Sequence, residues 1–135
     1  MVPLRNLSAY NGDPPLAGNT RKISVGPLYG LDVVQAMTHT PSALSLWTQK
    51  CKRDVANLGF DTADVGELIR ELTNRDYRDS EWCENGRGAW AACDAYTLRR
   101  LEFLEKAGKS LPMEYYLKFA LSKNGTLLLM VSCHT

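Results

Sequence analysis

Histidine is nearly missing from this chain of 135 residues, which has only His39 and His134. Four cysteines, Cys51, Cys83, Cys93 and Cys133, fall in four separate segments. None forms a Cys-x-x-Cys pair or lies near a histidine at ligand spacing, so no zinc site and no metal is expected. Counting leaves disulfides open, but a core of this size does not need them. Long apolar runs are also missing. The longest, Thr126-Leu-Leu-Leu-Met-Val131, falls far short of the roughly 20 residues of a membrane-crossing helix. The first residues, Met1-Val-Pro-Leu-Arg5, lack the basic stretch and apolar core of a secretory signal, so the expected address is the cytoplasm. No Gly-x-Ser-x-Gly, phosphate-cradling glycine loop or His-Glu-x-x-His is present, and no cofactor is expected.

What is present fits one ordinary domain with a small core: 44% of the residues are hydrophobic and 23% charged. Sixteen basic residues face fifteen acidic ones, for a net charge of +1, which argues against disorder and against a strongly polyanion-seeking surface. The balance is uneven along the chain: residues 1–60 sum to +3, residues 61–94 to −5 and residues 95–135 to +3. Binding to a polyanion would require the basic ends to come together and the acidic middle to turn away. The plain alternative is a mixed, solvated surface.

Residues 1–22 read as an irregular N-terminal extension with poor order, because Pro3, Asn11-Gly-Asp-Pro-Pro15 and Gly18-Asn19 are turn formers. Residues 23–135 read as a single domain. Leu31, Val34 and Met37 suggest a short amphipathic helix. Thr40 as N-cap, Pro41 in the first turn and Leu44, Trp47, Cys51, Val55 and Leu58 at three- to four-residue spacing predict a helix that stops at Gly59. Asp61 or Thr62 caps the next, whose apolar stripe is Val65, Leu68, Ile69 and Leu72. Asn74–Asp79 ends it, and Glu81–Gly88 reads as a loop. Extended runs follow at Ala89–Thr97, Tyr115–Leu121 and Thr126–Cys133, the last two joined by the hairpin signal Ser122-Lys-Asn-Gly125. Leu98–Gly108 fits either a helical turn or a long hairpin arm. Helices first and strands last imply an α+β fold: a small antiparallel sheet with helices on one face and the other free for a ligand.

In the first hairpin strand, alternation puts Leu117, Phe119 and Leu121 on one face and Tyr116 and Lys118 on the other. In the last strand it groups Met130, Ser132 and His134. An imidazole, a phenol and a cation on one sheet face are what a metal-free ribonuclease needs. A base takes the proton of the ribose 2′-hydroxyl, an acid protonates the leaving 5′-oxygen, and a cation stabilises charge on phosphorus. The plain alternatives are a frayed terminal His134 and, for His39, an ordinary loop residue.

The stretch Leu58-Gly-Phe-Asp61, then Val65, Leu68-Ile69, Leu72 and Asp76-Tyr77, resembles the Leu-Gly-Leu-Asp helix and following Asp-Phe of the MqsR family of toxins. Downstream, Tyr116-Leu-Lys-Phe119 resembles that family's Tyr-Leu-Lys-Ile strand, and Val131-Ser-Cys-His134 its terminal Val-Ser-Phe-Lys. The blocks keep their order from about residue 42 to the end. The family cleaves mRNA, and its fold is similar to RelE. Departures fall at catalytic positions. Asp79 stands where the family has lysine, with Arg78 just before it, and the family's glutamine falls on Ala91 or Cys93, depending on the alignment. Tyr116 carries over intact, and His134 replaces the terminal lysine.

The resemblance implies a toxin of a toxin-antitoxin pair, a metal-independent endoribonuclease that cuts mRNA through a 2′,3′-cyclic phosphate, with a cognate antitoxin as partner. Under it, His134, Tyr116 and Arg78 are the catalytic residues, and Lys118, Arg99 and Arg100 bind RNA. The alternative is a non-catalytic RNA- or protein-binding module on the same fold, favoured by the missing lysine and glutamine. A third reading is a small structural domain whose stripe and cysteines are core.

Overall fold

The computed structural model describes residues 5–16 and 18–135. Three helices follow from local signals: α1, Leu31–Met37; α2, Gln49–Asn57; and α3, Thr62–Glu71. A reciprocal cap starts α3: the Asp64 N–H donates to the Asp61 carboxylate at 3.0 Å, and the Asp61 N–H donates to Asp64 at 2.9 Å. The end of α2 needs a left-handed residue, and Gly59 supplies it with φ of 74°. There the Gly59 N–H reaches the Ala56 carbonyl at 2.9 Å and the Phe60 N–H reaches Val55 at 3.1 Å.

The start of α2 departs from the sequence pattern. Thr40 makes no side-chain cap, Pro41–Ala43 is a single 3-10 turn, and Leu44–Leu46 is a strand. Thr48 is the true cap, its Oγ1 accepting the Cys51 N–H at 3.0 Å. The recurrence of Leu44, Trp47 and Cys51 joins a strand to a helix across this junction and imitates one continuous period.

The strands are β1, Arg5–Asn6; β2, Lys22–Ile23; β3, Leu44–Leu46; β4, Tyr77–Glu84; β5, Ala89–Leu104; β6, Lys109–Leu121; and β7, Leu128–His134. They form one seven-stranded sheet in the order β2-β4-β5-β6-β7-β3, with β1 beside β5. The fold is α+β, but the sheet is larger than expected and mixed, because β1 pairs with β5 and β3 with β7 in parallel.

One further expectation changes, one open alternative is decided and one is refined. Glu81–Glu84 is part of β4 rather than a loop, and the connection shrinks to the turn before Ala89, where the Arg87 N–H donates to Asn85 Oδ1 at 2.8 Å. Polar alternation hid this strand, since Asp79 and Glu81 lie on its open side. Leu98–Gly108 is a long hairpin arm: β5 runs on to Leu104, pairing with β6 as far as Lys109. The expected extension over residues 1–22 is irregular over most of its described length, yet it is sewn to the sheet. The Leu7 N–H donates to the Trp90 carbonyl at 2.9 Å, the Ala92 N–H donates to the buried Ser8 hydroxyl at 3.0 Å, and Tyr10 meets Trp82 edge-on. Met1–Leu4, with Pro3, and Ala17 lie outside the described residues.

Cross-strand partners share a face. Tyr77, Tyr96, Leu117 and Cys133 oppose one another across β4 to β7 and belong to the main core with Val34 of α1, Cys51 and Val55 of α2, and Val65, Leu68 and Ile69 of α3. Tyr96 stacks on Phe119 with ring centroids 5.4 Å apart. At Gly66 a Cβ would come within 3.2 Å of Thr38, so α3 passes close to the end of α1 and a side chain at that position would require Thr38 to shift.

Candidate active site

The next row of the sheet faces away from that core. Thr97 of β5 opposes Tyr116 of β6, and Tyr116 opposes His134 of β7. Arg78, the extra residue at a register shift between Tyr77 and Asp79, donates from Nε to Thr97 Oγ1 at 2.5 Å. One line of side chains, Arg78–Thr97–Tyr116–His134, therefore crosses four strands. The Tyr116 and His134 rings lie 5.3 Å apart and tilted by 30°. A second line follows two residues along: Asp79, Ala95, Lys118 and Ser132.

A register shift beside Lys118 brings His134 to this face. Lys118 opposes Ser132, but Phe119 opposes Met130, so Val131 is the extra residue. Met130 consequently lies with the core, fully buried, and not beside His134 as simple alternation implies. The carbonyl of Val131 is taken by the Thr48 hydroxyl at 3.1 Å, which ties the shift to the start of α2.

Electrostatics around the row are nearly balanced. Lys118 is 13% exposed, donates to Glu81, and sits 5.5 Å from the Tyr116 ring centroid. Burial works against its ammonium, yet the Glu81 hydrogen bond, aided by Cys83 and Tyr116, leaves its pKa above the ordinary lysine value. Lys22 holds Asp79 at 2.6 Å and Glu81 at 3.6 Å. Burial raises the Tyr116 phenol above the usual tyrosine value, against the pull of Lys118. On α2, Asp54 is held below the ordinary carboxylate value by the Lys50 hydrogen bond, with a smaller contribution from His134.

Toward β4 the face deepens into a groove of about 330 Å³ between Lys118, Ser132, Glu81 and Cys83 on one side and Thr48 and Lys50 on the other. Contact with Cys93 lowers the Cys83 thiol below its ordinary value, and Cys93, wholly buried, is pushed well up.

Of the residues expected at the site, His134, Tyr116, Lys118 and Arg78 come together. Arg99 lies on the same face two residues beyond Thr97, exposed and opposite Glu114. Arg100 does not join them. It is 20% exposed on the other face, bound to Glu71 at 2.5 Å, to Glu67 at 3.8 Å and to Glu102, and stacked over Tyr115. Three carboxylates engage its guanidinium there, so the structure does not bring it to the row with the other expected site residues. His39 is exposed just past α1. Thr97 and Glu81, which hold Arg78 and Lys118, escaped the sequence reading; reading 77–84 as a strand would have placed Glu81 opposite Cys93 on this face. Among the described residues, no three His, Cys, Asp or Glu side chains gather as a metal-holding group. No model of a known protein family and no curated protein matches this chain.

Proposed function

We propose that the chain is a metal-independent endoribonuclease of the MqsR type, the toxin of a toxin-antitoxin pair, with a RelE-like fold whose helices cover one sheet face and leave the other to mRNA. The observation that carries this reading is the adjacency of the Tyr116 and His134 rings on the open face. His134 takes the proton of the 2′-hydroxyl as that oxygen attacks phosphorus. The bond from phosphorus to the 5′-oxygen breaks, leaving a 2′,3′-cyclic phosphate, and the 5′-oxygen takes a proton from water, to which the His134 imidazolium returns the one it removed. Tyr116, whose raised pKa keeps its proton at neutral pH, donates to a phosphoryl oxygen. Arg78, steadied by Thr97, supplies positive charge to the forming pentacoordinate phosphorus. Lys118 flanks the phosphate from the other side, and Arg99 meets the backbone beyond it.

The test is purified protein with a defined single-stranded RNA in chelator, followed by mapping of the termini. Cyclic phosphate and 5′-hydroxyl ends are expected. His134→Ala and Tyr116→Phe should each lower the rate by about 10²-fold or more. Cleavage that requires added metal, or that both variants retain, would sink the mechanism.

A second reading, a non-catalytic binding module, is favoured by one observation: Lys118 is bound to Glu81, and Asp79 and Glu81 share its face. It predicts RNA or protein binding without cut ends, and growth arrest on induction, if any, untouched by both substitutions.

A further inference from the structure

β4 accompanies β5 only to the Tyr77–Tyr96 pair, and β7 accompanies β6 only to the Tyr116–His134 pair. Beyond these, the β5–β6 arm continues through Leu104 and Lys109, and among the described residues no strand covers either outer edge. Its exposed side chains include Leu101, 70% exposed, and Phe103, 64% exposed. Apolar side chains beside a long free edge are a template for another strand.

The two edges differ. The edge of β6 carries Pro112, opposite Leu101, and proline blunts an edge because it has no N–H to offer. The β5 edge has neither proline nor glycine between Ala89 and Ala107. Its polarity is also fixed. The Asn85 N–H donates to the Ala89 carbonyl, and alternation then turns the odd-numbered residues of β5 toward the β4 side. Past Tyr96, the N–H and C=O groups of Arg99, Leu101 and Phe103 therefore point outward with no strand opposite.

We propose that this edge pairs with the same edge of a second copy of the chain, antiparallel across a two-fold axis at Leu101, joining two sheets into one. The charge pattern selects that register. Centred on Leu101, Arg100 opposes Glu102 of the second copy, Arg99 opposes Phe103, and Leu98 opposes Leu104. Centring on Arg99, Arg100 or Glu102 sets like charges face to face, and centring on Phe103 sets Arg100 against Lys106. The axis is perpendicular to the sheet because antiparallel partners must share a face, so both Tyr116–His134 rows open on the same side.

Sedimentation of the intact protein over a concentration series should show a reversible dimer. Leu101→Lys puts two ammonium groups at the axis. It should raise the dimer dissociation constant at least about tenfold, with the melting temperature unchanged at concentrations low enough to leave both proteins monomeric, because Leu101 is exposed in the single chain. Residues paired across the axis have Cα atoms about 5.5 Å apart, within disulfide range. Leu101→Cys should therefore cross-link on mild oxidation. Phe103→Cys, separated from its own copy by roughly 13 Å along the strand, should not; all four native cysteines are buried. A protein monomeric throughout the series, a Leu101→Lys dimer of undiminished affinity, or equal cross-linking of both cysteine variants would overturn the proposal.

Discussion

Asp94 is a carboxylate sunk in the sheet with no basic side chain bonded to it among the described residues. It accepts the Leu28 N–H at 2.9 Å, the Tyr29 N–H at 3.1 Å and the Ser80 hydroxyl at 2.7 Å. Burial raises its pKa, and these three donors pull it back only in part. Asp94→Ala strands two main-chain donors and should cost about 3 kcal/mol in urea denaturation. A loss below about 0.5 kcal/mol would mean that other contacts hold the Leu28–Tyr29 segment. The sign of its pH effect follows from the raised value. The folded protein keeps the Asp94 proton where the unfolded chain has released it. The charged form therefore costs stability above the folded pKa, and this cost fades as pH falls toward the ordinary value of about 3.9. Asp94 thus opposes acid unfolding, and the gap between wild type and Asp94→Ala should widen as the solution is acidified through that window. The site was legible here in part. Tyr116 and Lys118 could be placed together because strand alternation suffices for that, whereas His134 joins them only through the extra residue at Val131, which no local signal marks. Glu81, the counterion of Lys118, could not be placed, since its strand looked like a loop.

Two threonines before α2 distinguish pattern from structure. Thr40 precedes Pro41 and has the form of a cap but makes no capping bond. Thr48 caps the helix and also bonds the Val131 carbonyl. Thr48→Ala should destabilise the fold by about 1–2 kcal/mol, and Thr40→Ala by less than about 0.5 kcal/mol, as read by thermal melting. Comparable losses for both would restore the single long helix that the apolar spacing suggests. Elements whose signals are local were readable: α3 from Asp61 and its stripe, the end of α2 from Gly59, the last hairpin from Asn124-Gly125. Elements defined by distant partners were not. β3 has three residues and exists because Leu44–Leu46 lies along Leu128–Met130, and β1 has two and exists because of β5. No window of sequence contains both members of either pair.

Charge over the entire surface decides how strongly RNA can be held. The acidic excess of residues 61–94 is spent partly on restraining cations: Glu67 and Glu71 engage Arg100, and Asp79 and Glu81 engage Lys22 and Lys118. On the open face, Arg78 and Arg99 form no ion pair among the described residues, which leaves roughly two phosphate contacts. Affinity for single-stranded RNA should therefore fall only gently with salt, with a logarithmic slope near −1.4, measured by fluorescence anisotropy. A slope steeper than about −4 would reveal a basic surface that this charge map lacks. Composition alone gave the small net charge; only the folded arrangement shows which cations are already engaged. The extra residue at Val131 has a consequence for permissible change. Upstream of it β7 serves the interior with Leu128 and Met130, and downstream the same parity would bury His134 and expose Cys133 if Val131 were paired in a regular ladder instead of being bulged out. Insertions in the Ser122–Leu127 turn leave this phase alone, and deletion of Val131 itself only restores a regular ladder with the same partners, whereas a one-residue insertion between Ser132 and Cys133 exchanges imidazole for thiol on the open side. The phase of Ser132–His134 against Tyr116–Lys118 is therefore under tighter constraint than the residue at the bulge.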